Sequence, residues 1–295
     1  MQPKILVNQP QINGRKFRSI LLCCVGLLTA SAQAAPIESN DVRVAVVGGL
    51  VMSGVWPELV KRAEVATGLH IVTVAAAPKE GVVPPFAKGD AELLLIHGSD
   101  ETYQLQAQGL AAPLRAWAQN EHVIVGSADD PAKVGEAHDG IDAIRRIAAA
   151  DAPLIGFRDP GSFSTMQHLW RAAGLRPGLR QQLYDDGEQP QQVLKAAAKQ
   201  NAYVIVGHIP VAFGKMPAGN YRVLLAGDPD MRRVYVAVEP GPLHAATTQQ
   251  RERAHRLAEY LLSADGQTAL MAANRAIATP ERPGPWIFPL SNSLR

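Results

Sequence analysis

The sequence predicts an α/β fold with a largely parallel sheet. Short β-type runs alternate with helix-spaced apolar residues, and glycine-bearing strand–turn–helix segments recur around Gly48 and Gly161. No linker rich in Gly, Ser or Pro cuts the chain into independent pieces, and no internal repeat is present. Two lobes that the chain enters, leaves and re-enters accommodate this pattern within 295 residues.

The first residues read as a targeting segment. Lys4, Arg15, Lys16 and Arg18 stand without an acidic residue, SILLCCVGLLTASA supplies an apolar core, and Ala32-Gln33-Ala34 is a small-x-small site. This is the pattern of a secretory signal peptide over residues 1–34, cleaved near Ala34. Its apolar run falls short of the ~20 residues of a membrane span. Cleavage removes Cys23 and Cys24, the two cysteines of the chain, and with them any disulfide or cysteine metal site. It also takes Lys plus Arg from 29 to 25 against 27 Asp plus Glu, so the net charge passes from +2 to −2. A nearly neutral exported chain is a poor nucleic-acid partner, and none is expected.

Strands are expected at residues 43–47, 70–76, 92–96, 122–126, 154–157, 203–206, 222–225 and 234–238. The first helix is marked by Trp56, Leu59, Val60 and Ala63 with a stop at Gly68. The second is marked by Phe163, Met166, Leu169, Trp170 and Ala173 with a stop at Gly174. Residues 193–201, 251–262 and 266–274 are also helical, and a proline-rich tail begins at Pro280.

The turn GGLVMSG (residues 48–54) lacks the Lys and Ser/Thr of a phosphate loop and does not spell G-x-G-x-x-G, which excludes the common nucleotide cradles. Two readings remain: a tight strand-to-helix turn capped by Ser53, or an anion seat built from backbone N–H groups at a helix start. The candidates there are Gly48, Gly49, Leu50, Met52 and Ser53. The second turn, FRDPGSFST, gathers Arg158, Gly161, Ser162, Ser164 and Thr165. Arg158 offers a fork suited to an oxyanion, with Asp159 as an alternative partner, and one hydroxyl is needed as a helix cap. Micromolar to nanomolar binding requires about 8–12 kcal/mol. At ~1.5–3 kcal/mol per charged hydrogen bond, it takes donors from both turns.

Catalytic motifs are missing: there is no G-x-S-x-G elbow and no H-E-x-x-H. No enzyme, cofactor or metal site is therefore expected. His97, His122 and His208 read as hydrogen-bonded structural histidines, with His97 also placed at a strand end that faces a cleft. Asp129-Asp130 and Asp185-Asp186 read as solvated turns.

Four segments carry a resemblance: DAELLLIHGSDET, NEHVIVGSADDPA, FRDPGSFSTMQHLWRAAG and RRVYVAVEP. Together they resemble the periplasmic solute-binding proteins of ABC importers, and most closely the tungstate/molybdate-binding kind. The resemblance covers essentially the whole chain after the signal peptide. It implies a two-lobed type II periplasmic-binding fold, with lobe one at 35–123 and 232–295 and lobe two at 124–231. Two crossover hinges would join them, near residues 122–126 and 232–238. It further implies a small oxyanion ligand held between the lobes, an ABC permease in the inner membrane as partner, and a periplasmic monomer, with a sensory protein that presents its closed state to a membrane receptor as the alternative. The ligand residues map to the two turns, with Arg158 at the family's turn arginine. The relatives carry consecutive Thr or Ser in the first turn where this chain has Gly48-Gly49-Leu50-Val51-Met52-Ser53, so backbone N–H groups would have to substitute or the ligand would be a bulkier organic anion.

Overall fold

A computed structural model describes residues 40–185, 189–217 and 219–290. The expected signal peptide, its cleavage site and Asp186 lie outside the described residues. The architecture is mixed α/β.

Strands β1 (Asp41–Val47), β2 (His70–Ala77) and β3 (Leu93–His97) are parallel to one another. Helices α1 (Gly48–Met52) and α2 (Val55–Thr67) follow β1, α3 (Lys79–Lys88) follows β2, and α4 (Asp100–Ala107) follows β3. The long strand β4 (Arg115–Ser127) leads into α5 (Gly140–Ala149), β5 (Leu154–Gly156), α6 (Pro160–Ala172) and the short β6 (Leu183–Tyr184). Next come α7 (Val193–Lys199), β7 (Tyr203–Gly207), α8 (His208–Ala212) and β8 (Tyr221–Leu225). The chain returns through β9 (Arg232–Val238), then α9 (Thr248–Leu262), α10 (Ala264–Ile277) and β10 (Phe288–Pro289).

The strand order is β2-β1-β3-β9-β4-β7-β5-β6, with β8 and β10 also paired to β4. The outer strands are parallel, as alternating strands and helices require, but β9 and β4 are antiparallel to each other and to their neighbours. The sheet is therefore mixed rather than largely parallel. These two strands carry the chain between the halves: residues 115–121 of β4 pair β9, whereas residues 122–125 pair β7. The sequence reading of 122–126 caught only the second half of β4, because RAWAQNE lacks a clean apolar alternation.

One apolar core lies beneath β1, β3 and β9, closed by Leu59 of α2, Leu257 of α9 and Leu270 of α10. On the other side of the molecule, Ile144, Leu169 and Trp170 of α5 and α6 cover one face of β7 and β4, and Val193 and Leu194 of α7 cover the other. The described part of the proline-rich tail packs against the molecule: Trp286 and Ile287 are buried in the first core. Asn274 holds them there, its Oδ1 accepting from both of their backbone N–H groups.

Charge fixes the periphery of the first core. Arg43 Nε donates to Glu92 Oε1 at 2.7 Å, and the Arg43 backbone N–H donates to Oε2 at 2.6 Å. Gln250 of α9 donates to the same carboxylate at 2.9 Å. Glu92 is 2 % exposed, so all three bonds act away from water.

Candidate functional site

The C-terminal ends of strands from both halves of the sheet converge on one cleft of about 580 Å³. Val47 ends β1, Pro78 follows β2, Ile96 and His97 end β3, Phe157 and Arg158 follow β5, Asp185 follows β6 and Gly207 ends β7. Helices α1, α3, α6 and α8 start at the same place, so their N–H-bearing ends point inward. This is the crevice that α/β topology provides outside the carboxyl ends of strands. The crossing strands form its floor through Asn120, His122, Arg233 and Tyr235.

Two neutral histidines stand on that floor. Burial, reinforced by the positive charge of Arg233, pushes the His122 pKa down to about 3. One ring nitrogen donates to the Met231 carbonyl, which leaves Nδ1 to accept from the Thr165 hydroxyl at 3.0 Å. Burial and Arg233 also hold His97 well below the ordinary imidazole range. Its Nε2–H donates to Asn120 Oδ1 at 3.0 Å, and its ring stacks on Tyr235 at 4.2 Å. His208 sits at the cleft edge with Nδ1 2.6 Å from Glu121 Oε1. All three histidines are hydrogen-bonded, and His97 and His122 also line the cleft.

Around the floor, the cations Lys79, Arg158, Lys215 and Arg233 face the carboxylates Glu80, Asp159 and Asp185. Several of these charges are already paired. Lys79 binds Glu101 at 2.6 Å. Burial opposes ionisation of that carboxylate, but the bonds from Lys79 and Ser99 outweigh it and hold its pKa at about 2. Arg158 Nε lies 2.5 Å from Asp185 Oδ1, and the arginine side chain is 53 % exposed. Asp185 itself is buried, not the solvated turn residue its sequence suggests. Asp130 likewise accepts from Val134 N, Gly135 N and the Tyr203 hydroxyl.

Of the residues singled out in the two turns, Gly48, Gly49, Met52, Arg158 and Ser162 line the cleft. The first turn is the short helix α1, whose start at Val47 has no side-chain cap. Leu50 points the other way, fully buried in the first core. Ser53 is engaged locally, donating to the Leu50 carbonyl at 3.0 Å and accepting from Val55 N at 3.3 Å. In the second turn Asp159, not a serine, caps α6 by accepting from Ser162 N at 2.9 Å. Gly161 lies under Arg233, whose guanidinium occupies the space a Cβ would fill. Ser164 is exposed on the far side of the helix, and Thr165 is held by His122.

Sequence reasoning passed over Arg233 and Tyr235. They are two apart on β9 and so share a face. Two arginines opening an otherwise largely apolar strand, RRVYVAV, were the signal that could have found them.

Residues 42–273 match the family of bacterial extracellular solute-binding proteins. The chain belongs to that family. Two solved structures share its fold over most of its length. The tungstate ABC transporter protein from Geobacter sulfurreducens is 19 % identical, covers 79 % of this chain and 98 % of its own, and superposes with a TM-score of 0.62. A tungstate-binding protein from Desulfovibrio alaskensis G20 is 17 % identical, with coverages of 85 % and 99 % and a TM-score of 0.64. At such identities the likeness is one of fold, and the fold is the periplasmic-binding-protein type. An ABC transporter anion-binding protein from Haloferax volcanii is 31 % identical over 90 residues, 30 % of this chain. That match spans 26 % of the relative's length. Among the described residues no helix is long and apolar enough to cross a membrane.

Proposed function

We propose that this solute-binding protein is exported to the periplasm with cleavage near Ala34 and captures a small anion in its cleft for an ABC permease of the inner membrane. It acts as a monomeric binder without catalytic turnover. The two halves serve as lobes, 35–123 with 232–295 and 124–231, hinged where β4 and β9 cross. One observation carries the reading: helix starts and strand ends from both halves meet at a single cleft that also holds Arg158 and Arg233. Gly48, Gly49, Met52, Ser162 and His97 are the proposed contacts, drawn from both sides, while Arg158 lines the same cleft paired to Asp185. An anion bound there exchanges its hydration shell for backbone N–H groups and guanidinium, in a site where water no longer weakens each bond.

The tungstate for which the two structural neighbours are named makes a tungstate- or molybdate-like oxyanion the first choice. A second reading, a carboxylate-bearing organic anion, is supported by the lining. Val47, Met52, Ile96, Phe157, Ile209 and Met216 give the cleft a largely apolar wall, and its volume lies in the ~300–1,000 Å³ range of organic-ligand pockets.

Thermal unfolding in the presence of tungstate, molybdate, sulfate, phosphate and a series of short carboxylates separates the two. A ligand at about 100 times its Kd stabilises the folded state by about 2.7 kcal/mol and raises the melting temperature accordingly. A shift with an inorganic oxyanion supports the first reading and a shift with carboxylates alone supports the second. No shift with either set rules out anion capture.

A further inference from the structure

We infer that Arg233, with the hydroxyls of Ser162 and Tyr235, forms the seat for the oxyanion head of the ligand, and that Arg158 does not. This rests on the anion reading above and names the residues that would carry it.

Three observations converge. The Ser162 and Tyr235 hydroxyls are both buried, Ser162 at 2 % and Tyr235 at 0 % exposure, and neither has a hydrogen-bond partner among the described residues. Both residues line the cleft. Buried hydroxyls are ordinarily paired, so two orphans in one cleft mark positions where a ligand supplies the acceptor.

The second observation is the state of the two arginines. Arg158 already binds Asp185 at 2.5 Å and is half exposed to water. The Arg233 guanidinium makes no hydrogen bond among the described residues. Its nearest carboxylate oxygen, on Asp159, lies 3.8 Å away and is engaged in capping Ser162 N. Burial penalises the Arg233 charge, an imbalance that an incoming oxyanion relieves. Its planar fork suits carboxylate and tetrahedral oxyanions alike.

Third, Gly161 of α6 makes room for this seat, and Gly49 of the first turn lies beside it. A Cβ on Gly161 would fall inside the Arg233 guanidinium. One on Gly49 would come within 3.4 Å of the Tyr235 hydroxyl. The first turn therefore approaches the seat from one half of the molecule and α6 from the other.

The test is calorimetric titration of the purified protein and its variants with tungstate, molybdate, sulfate and phosphate in one arm and acetate, lactate and benzoate in the other. Whichever anion binds the wild type identifies the source of the head. Arg233→Ala should weaken that anion at least roughly 100-fold. Ser162→Ala and Tyr235→Phe should each weaken it about 10-fold, in the range for hydrogen bonds to charged groups. Gly161→Ala keeps every charge but displaces the guanidinium and should weaken it by a similar factor to Arg233→Ala. Arg158→Ala should change affinity less than about 5-fold, as for an exposed ion pair. Thermal melts check that each variant is folded, and Arg233→Lys provides a milder replacement if Arg233→Ala is not. Binding by the wild type with full affinity in both the Arg233→Lys and Gly161→Ala variants overturns the seat and leaves anion capture standing. Loss in Arg158→Ala alone assigns the head to Arg158 and also overturns it. Silence of the wild type toward every probe overturns the anion reading and the seat together.

Discussion

His122 makes the stability of this protein depend on pH in a defined window. Its pKa is 6.5 in the unfolded chain and about 3 in the folded one. The folded state therefore resists protonation, and the unfolded state binds the extra proton first. The stabilisation is complete above about pH 6.5, declines as pH falls below it, and is lost by the time pH reaches the folded value. Each pH unit in that window corresponds to about 1.4 kcal/mol. Between pH 6.5 and pH 5 this residue alone should remove about 2 kcal/mol, and at its limit about 5 kcal/mol. Carboxylates add their own acid sensitivity, so the comparison is with His122→Gln, which cannot titrate and can still bond Thr165. Urea unfolding followed by tryptophan fluorescence, at about pH 7.5 and about pH 5, gives the two stabilities. The wild type should lose about 2 kcal/mol more than the variant over that interval. Parallel losses in the two proteins would refute the argument that this ring is buried neutral between Thr165 and Met231.

Three other perturbations test the frame that positions the cleft. Arg43→Met leaves the Glu92 carboxylate buried with Gln250 and a backbone N–H but without its cation, and should cost about 3–5 kcal/mol in urea unfolding. Trp170→Ala empties a side chain that is 1 % exposed between α6 and the sheet, and should cost about 3–5 kcal/mol, visible as a lower urea midpoint. Gly126→Ala forces a Cβ to within 2.6 Å of the Tyr203 ring and 2.7 Å of Leu224, and should lower stability by about 1–3 kcal/mol in thermal unfolding.

The apolar strands were legible because their pattern is local: LLLIH, LIG and YVIVG announce buried strands without reference to the rest of the chain. Helix α6 was legible for the same reason, down to the glycine that stops it. Helix α3 was not, since Pro84 and Pro85 sit inside it and read as breakers. Helix α1 reads as a turn in the sequence because GGLVM has neither a cap nor a periodic face. The site was legible by place rather than by residue. Strand ends and helix starts located the cleft, so that Gly48, Gly49, Met52, Ser162 and Arg158 line it. The residue reading could not see that Asp185 would reach Arg158 from across a loop. Nor could it see that Arg233 would cross from β9 to lie on Gly161, because both contacts are made only when distant segments pack.

Titrating the purified wild-type protein in a calorimeter with inorganic oxyanions and then carboxylates decides whether the cleft between the two halves holds one anion. Saturable binding of one anion per protein, weakened by Arg233→Ala, is the expected result. Flat titrations with every anion, or binding that is unchanged when Arg233, Arg158 and Ser162 are all replaced by alanine, would contradict it.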